Sequence, residues 1–208
     1  MSKKERLAEF NKSNTINAAK ILFDKKGVVQ TTMDEIAKEA GCSKSTIYTY
    51  FASKDEIFSH IVLEYFTMLK NGIKLAIETT PNFPESFFAM GETVVKFYAE
   101  NPFYLESILA EIKIAQGDDD AILFKIYEVG EELNGIMEAY FKDCIEKGYV
   151  RNDFASLFQA TFNIWACVCG IVSMAHKKEK YIFHKEGITK EEFIQNGLTM
   201  LLASITKK

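Results

Sequence analysis

The spacing of apolar residues along the chain predicts an all-α protein. Apolar side chains recur every three or four positions through most of the 208 residues, which is the pattern of amphipathic helices. The three prolines all lie between Pro81 and Pro102, so long helices are permitted on both sides of that segment. We expect about nine helices, at residues 4–26, 32–40, 43–50, 53–79, 85–100, 102–116, 121–147, 154–178 and 189–207.

Start and stop signals predict a pair of short helices near the N-terminus. Thr32 and Glu35 have the spacing of a capping box, in which a hydroxyl and a carboxylate satisfy free N–H groups at a helix start. Gly41 ends this helix and Ser43 caps the next one. Two short helices joined by a turn of about three residues form a helix-turn-helix, whose second helix enters the major groove of DNA.

A second capping box, Ser53 with Glu56, opens a long helix that continues to about residue 79. This helix leaves the N-terminal unit and enters the rest of the chain. We therefore expect a helix-turn-helix DNA-binding domain at residues 1–53 and a helical domain at residues 54–208.

The outward face of residues 43–50 carries hydrogen-bond donors and amphipathic rings, and no acidic side chain. Because phosphates repel carboxylates, this composition favours a nucleic-acid surface. Ile47 and Phe51 occupy the inward stripe four residues apart, so Tyr48 is expected to point outward. Packing against the first helix remains an alternative for Tyr50.

Residues 14–58 resemble the DNA-binding domain of the TetR/AcrR family of transcriptional regulators. The residues that carry the resemblance are Ala19, Leu22, Phe23, Gly27, Thr32, Ile36, Ala37, the run Ala40–Phe51, Ser53, Lys54 and Ile57. The remaining three quarters of the chain match that family in length and number of helices.

The resemblance implies a homodimer that binds double-stranded operator DNA, with the helix beginning at Ser43 in the major groove. Lys44, Ser45 and Thr49 would then lie near base edges. Phosphates would be held by Thr32, Thr46, Tyr48, Tyr50 and Lys54. Family members often carry a basic or neutral residue where this chain has Asp34, so Asp34 is not expected to hold a phosphate.

The helix at 154–178 carries two apolar stripes, whereas a surface helix needs only one. We expect one stripe to pack in its own domain and the other to pack against a second chain, together with the last helix, where the small Gly197 allows close approach. A four-helix dimer interface follows. Its expected residues are Leu157, Thr161, Ile164, Val168, Ile171, Gly197, Leu198 and Leu201.

Aromatic residues in the second domain could form a plain core or line a pocket for a small apolar or aromatic effector. The candidate pocket residues are Phe97, Phe103, Tyr104, Tyr127, Tyr140, Phe141 and Trp165. With the family resemblance, such a pocket implies a repressor that an effector releases from DNA.

The net charge of −4 argues against a nucleic-acid partner, but its distribution does not. Residues 1–60 carry ten Lys and Arg against eight Asp and Glu, which gives +2. The other residues carry 15 against 21, which gives −6. The acidic residues are therefore concentrated away from the predicted DNA-binding domain.

No cofactor, metal site or catalytic set is predicted. The cysteines and histidines lack metal-ligand spacing, and Asp118, Asp119 and Asp120 are expected to cap the helix at Ala121. The apolar run 162–175 is too short to span a bilayer, and no secretory leader is seen, so we expect a cytoplasmic location. Two alternatives remain open: a regulator that has lost its effector, and a helical carrier or enzyme with an incidental helix-turn-helix.

Overall fold

A computed structural model describes residues 2–110 and 121–207. The all-α prediction is confirmed, and the described residues form ten helices rather than about nine. They are α1 (Lys3–Lys26), α2 (Met33–Glu39), α3 (Lys44–Tyr48), α4 (Lys54–Thr79), α5 (Glu85–Glu100), α6 (Pro102–Ile108), α7 (Ala121–Glu146), α8 (Leu157–Lys177), α9 (Glu179–Glu186) and α10 (Lys190–Ile205).

The described residues fall into two compact units. The first unit contains residues 2–65 and 121–126, and the second contains residues 66–110 and 127–207. The first unit therefore extends beyond the predicted boundary at residue 53, because the N-terminal part of α4 belongs to it. Helices α4 and α7 each contribute residues to both units.

The first unit forms around a small apolar core. Helix α1 begins with a capping box between Ser2 and Glu5 and ends at Gly27, whose φ of 81° suits a residue without a side chain. Helices α2 and α3 pack against α1. Buried side chains from α1, α2, α3 and α4 meet in this core. They include Phe23, Ile36, Ile47, Phe51 and Ile57.

In the second unit, α8 packs against α5 and α10 at close range. A Cβ atom added at Gly197 of α10 would lie 2.9 Å from Ile171 of α8, and one added at Gly91 of α5 would lie 2.8 Å from Leu198. The two glycines therefore allow these helices to approach within one chain. The close approach that we expected from Gly197 is real, but it joins α10 to α8 of the same chain.

Three expectations about helix boundaries need correction or remain outside the described residues. Helix α6 ends at Ile108, short of the predicted residue 116. Helix α9 was not predicted, because Ile182 is its only buried residue and its sequence therefore lacks an apolar stripe. The predicted caps Asp118, Asp119 and Asp120 lie outside the described residues.

Among the described helices, α8 is long and apolar enough to cross a membrane by length and composition alone, with a mean hydropathy of 1.5. The core helix of a soluble protein passes the same test. One face of α8 is buried inside the second unit, at Thr161, Ile164, Val168, Cys169, Val172 and Ala175.

Candidate functional site

The first helix of the predicted motif begins with the expected capping box. The Thr32 hydroxyl accepts from the Glu35 backbone N–H at 3.3 Å, and the Glu35 carboxylate accepts from the Thr32 N–H at 2.9 Å. Glu35 also accepts from the Lys26 ammonium. This hydrogen bond from Lys26, followed by those from Thr32, lowers the pKa of Glu35 to about 2.

The turn between α2 and α3 depends on Gly41, which adopts a φ of 65°. Ser43 then caps α3, and its hydroxyl accepts from the Thr46 N–H at 3.1 Å. The same hydroxyl lies 2.7 Å from the Thr46 hydroxyl. The turn and the cap together fix the direction of α3, which we call the reading helix.

The reading helix has a buried face and an exposed face, as the spacing of its residues predicted. Ile47 is fully buried and Phe51, just after the helix, is 1% exposed. On the opposite side Tyr48 is 48% exposed. The other exposed side chains from this segment are Ser43, Lys44, Ser45 and Thr49.

Several predicted phosphate ligands already have partners in the protein. Tyr50 is half-buried, and its hydroxyl accepts from the Asn11 side chain at 3.3 Å. Tyr50 therefore packs against α1, which was the alternative that the sequence left open. Thr32 and Thr46 also use their hydroxyl groups at the helix starts.

Lys54 lies at the first position of α4, where we expected it to face a phosphate. Its ammonium donates to the carbonyl oxygen of Thr31 at 2.9 Å and lies 3.4 Å from that of Val29. Two of its three protons are thus directed at the loop before α2. At the start of the same helix, the Ser53 hydroxyl accepts from the Glu56 backbone N–H at 3.0 Å. The Glu56 carboxylate accepts from the Ala52 N–H instead of the Ser53 N–H, so the predicted capping box is formed only in part.

Lys44, at the first position of the reading helix, pairs with Asp34 of α2. Its ammonium lies 2.9 Å from a carboxylate oxygen of Asp34. The hydrogen bond from Lys44 to Asp34, with the attraction between the two charges, raises the pKa of Lys44. This pair could not be predicted from the sequence, because the two residues belong to different helices.

The structure corrects the choice of dimer stripe on α8. Thr161, Ile164 and Val168 are 5%, 5% and 7% exposed within a single chain, and Leu198 of α10 is 2% exposed. All four side chains are therefore buried within one chain and offer almost no surface to a second chain. Leu157, Ile171, Gly197 and Leu201 are half-buried.

The other side of α8 carries apolar residues that the chain leaves exposed. They recur every four positions and form what we call the outward stripe: Phe158, Phe162, Ala166, Gly170 and Met174. The rings of Phe158 and Phe162 stack on each other with centroids 5.5 Å apart, and each is about half exposed. The spacing divided the helix differently, because it grouped Phe158 and Phe162 with Trp165, Cys169 and Val172, and the last two are buried.

The second unit contains an apolar cavity between α4, α5, α7 and α8. Phe141 and Trp165 line it, as predicted, together with Ile73, Phe87, Met90, Gly91, Val94, Met137, Ile164 and Val168. The free volume of this cavity is about 20 Å³. That volume corresponds to about one water molecule, so side chains nearly fill the cavity.

The other five predicted pocket residues lie elsewhere in the second unit. Phe97 lines a separate groove between α4 and α5, and Tyr104 is buried. Phe103 and Tyr127 are 43% and 46% exposed. Tyr140 shares a buried hydrogen bond of 2.8 Å with the Ser86 hydroxyl, and burial raises the pKa of its phenol. The prediction was wrong for these five residues, because aromatic character alone does not show which face of a helix a side chain occupies.

Within the part of the chain that the structure describes, no group of three or more His, Cys, Asp or Glu side chains could hold a metal ion. The four cysteines, Cys42, Cys144, Cys167 and Cys169, are not joined in disulfides.

Comparison with known proteins matches residues 16–61 to the model for bacterial regulatory proteins of the tetR family. A curated relative is the uncharacterized HTH-type transcriptional regulator YhgD of Bacillus subtilis, 29% identical over 133 residues, or 64% of this chain and 66% of the relative. The aligned region spans between 46% and 66% of the length of the first curated relatives that match.

Solved structures with the same fold cover nearly the whole chain. A protein of unknown function from Rhodococcus sp. RHA1 has a TM-score of 0.77 and 14% identity, with 95% of this chain and 96% of that chain covered. The complex of SmeT with triclosan has a TM-score of 0.63 and 18% identity, covering 95% of this chain and 92% of that one. At these low sequence identities, the comparisons show a shared fold and nothing further about this chain.

Proposed function

We propose that this chain, as a member of the tetR family of bacterial regulatory proteins, is a transcriptional regulator. In this proposal it binds operator DNA as a homodimer. The observation that carries the proposal is the exposed, non-acidic face of the reading helix. Lys44, Ser45, Tyr48 and Thr49 are presented there while Ile47 and Phe51 are held in the core. A helix of this kind reads base edges in the major groove.

A single helix-turn-helix contacts only one half-site, so specific binding requires two copies. We assign the interface between them to the outward stripe of α8 and the exposed side of α10, where Met200 is 70% exposed. Exposed apolar area of this kind marks interaction surfaces. A symmetric dimer would bind half-sites about 34 to 36 Å apart on one face of the duplex.

The proposed effector is a small, uncharged apolar or aromatic molecule that enters the cavity lined by Phe141 and Trp165. The lining is entirely apolar apart from the Trp165 indole N–H, so a charged ligand would lose its hydration without gaining a partner. The SmeT complex with triclosan supports an effector in this fold. Because the cavity holds about one water molecule, entry requires the side chains that line it to move apart.

We further propose that the protein acts in the cytoplasm as a repressor, and that the effector releases it from DNA. A reporter placed behind the operator distinguishes repression from activation, since deletion of the regulator raises expression in the first case and lowers it in the second.

DNA binding is tested by selecting duplexes from a random pool with the purified protein and measuring their affinity by fluorescence anisotropy. We expect a palindromic consensus, bound by two protomers, with an affinity well above that for random DNA. Absence of binding even at 50 mM salt would favour the alternative of a carrier or enzyme with an incidental helix-turn-helix.

Effector control is tested by calorimetry with candidate apolar compounds, starting from triclosan, on the free protein and on its complex with the selected duplex. A compound that lowers DNA affinity tenfold must bind the complex tenfold more weakly, because coupling is reciprocal. Equal affinity for both forms would rule out release from DNA by that compound, whereas a second domain that binds none of the compounds would favour a regulator that has lost its effector.

A further inference from the structure

The reading helix depends on one cation for its positive charge. Lys44 is the only Lys or Arg from residue 43 to residue 51. Its ammonium lies 2.9 Å from the Asp34 carboxylate, so the two charges cancel at the start of the helix. The surface proposed to meet DNA therefore offers hydroxyl and aromatic groups but no uncompensated charge from this segment.

The ion pair contributes little to folding. The Lys44 side chain is 49% exposed and the Asp34 side chain 69% exposed. Exposed pairs add little to the stability of a protein, because water screens them and both side chains lose freedom. The pair can therefore be removed without unfolding the chain, and its main effect falls on whatever approaches the reading helix.

A polyanion is the kind of partner whose binding this ion pair weakens most. DNA carries about one phosphate charge per 1.7 Å of helix axis, and each Lys that neutralises a phosphate releases counterions. Lys44 bound to Asp34 releases none, because its charge is already neutralised by the carboxylate. Lys54 differs, since neutral carbonyl oxygens hold its ammonium, and it forms no ion pair with another described residue.

We propose that Asp34 is a specificity-determining residue that keeps Lys44 from contacting phosphates on random DNA. Lys44 then adds to binding only where an acceptor in the major groove, such as the O6 and N7 atoms of guanine, replaces the carboxylate. The inference rests on the proposed DNA-binding function. It assigns to Asp34 the role of weakening binding to random DNA, and so of widening the difference between operator and random sequence.

The experiment compares the wild type with Asp34→Asn on a random-sequence 30-bp duplex and on the duplex selected by the wild type, by anisotropy between 50 and 200 mM NaCl. On random DNA we expect the variant to bind more tightly, with a salt slope steeper by about 0.9 for each protomer. On the selected duplex the affinity changes less, so the ratio of the two affinities falls about threefold or more.

Two matched variants show whether the ion pair is responsible. Glu39→Gln removes one exposed carboxylate from the same helix and should leave the salt slope unchanged. In a Lys44→Met background, Asp34→Asn should have no more effect than Glu39→Gln. If Asp34→Asn lowers the melting temperature, Asp34→Ser gives a second test of the same pair.

The proposal is overturned if Asp34→Asn matches Glu39→Gln on random DNA, or if its effect persists without Lys44. Failure of the underlying function gives a different result. A wild-type protein that binds neither duplex at 50 mM NaCl contradicts DNA binding itself, whereas tight binding with an unchanged slope contradicts only the role of Asp34.

Discussion

Two tyrosines near the end of the reading helix have different surroundings, although they are only two positions apart. Tyr48 is 48% exposed, whereas the Tyr50 hydroxyl is bound by Asn11 of α1. A change at Tyr50 would therefore alter folding and DNA binding together. Tyr48 is the position at which the effect on binding can be measured alone.

We expect Tyr48→Ala to weaken binding to the selected duplex by about 1 to 3 kcal/mol, the range of a single good recognition contact. The melting temperature should not change appreciably, because an exposed side chain contributes little to stability. Anisotropy and thermal unfolding measure the two quantities. Tyr181→Ala, which removes a 64% exposed ring from α9, serves as the control, and an unchanged affinity in Tyr48→Ala would contradict the assignment.

At this scale the sequence predicted which side chains face inward, but not which polar groups bind one another. Ile47 and Phe51 lie four residues apart, so helical spacing alone placed them in the core and Tyr48 outside. The partners of Lys44 and Lys54 come from a different helix and from a loop. Such contacts depend on how the elements pack, and no local pattern encodes them.

At the scale of elements, the Glu35 carboxylate, which accepts from Lys26 and closes the capping box of α2, should make the stability of the first unit depend on pH. An unperturbed glutamate titrates near 4.5, whereas the pKa of Glu35 is lowered to about 2 in the folded chain. The stabilisation by Glu35 is therefore fully present above about pH 4.5 and is lost as the pH falls toward 2. Glu35→Gln removes this contribution.

We expect the melting temperatures of the wild type and Glu35→Gln to differ at pH 6 and to converge as the pH approaches 2. Thermal unfolding followed by circular dichroism between pH 2 and 6 measures the difference. Glu39→Gln changes the same charge on α2 without a capping contact, so its offset from the wild type should stay small throughout. A Glu35→Gln offset that is constant with pH would contradict the prediction.

Replacing two glycines of the second unit by alanine should change the free energy of unfolding in opposite directions. Gly197→Ala places a Cβ 2.9 Å from Ile171, and overpacking of this kind costs about 1 to 3 kcal/mol. Gly135→Ala in α7 meets no other atom within 4 Å, so the better helix propensity of alanine should stabilise the chain by about 1 kcal/mol. Urea unfolding measures both, and a stabilising Gly197→Ala would show that α8 and α10 are farther apart than described.

Helix positions were predictable where an apolar stripe and a cap coincide, as in α2 and α10. Helix α9 has neither signal, since it buries only Ile182 and lacks a side-chain cap. The two stripes of α8 are similar in composition, so the sequence could not show that the one through Ile164 packs inside. That choice is made by the helices α5 and α10 that cover it.

At the scale of the whole molecule, the outward stripe of α8 should hold the dimer together. We expect Phe162→Glu to give a folded monomer, because each partner would bury a carboxylate in an apolar interface. Sedimentation velocity measures the oligomeric state, and circular dichroism checks the fold. Leu198→Glu would not be a useful probe, since Leu198 is 2% exposed and the substitution would disrupt the core.

Phe183→Glu provides the matched control for this prediction. Phe183 is 61% exposed on α9, outside the stripe, so its substitution should leave the dimer intact. A dimer that survives Phe162→Glu would place the interface on another surface. A monomer that still binds the selected duplex with full affinity would contradict the need for two copies.

The position of Trp165 gives the molecule an optical reporter of its own. Trp165 is the only tryptophan in the chain, and it lines the nearly filled cavity of the second unit. Indole emission depends on the polarity and packing around the ring. A wavelength that tryptophan absorbs and tyrosine does not therefore excites Trp165 alone. The proposed entry of an effector would separate the side chains around this ring. Unlabelled wild-type protein can thus report the opening of its cavity as a change in emission wavelength, independently of any effect on DNA.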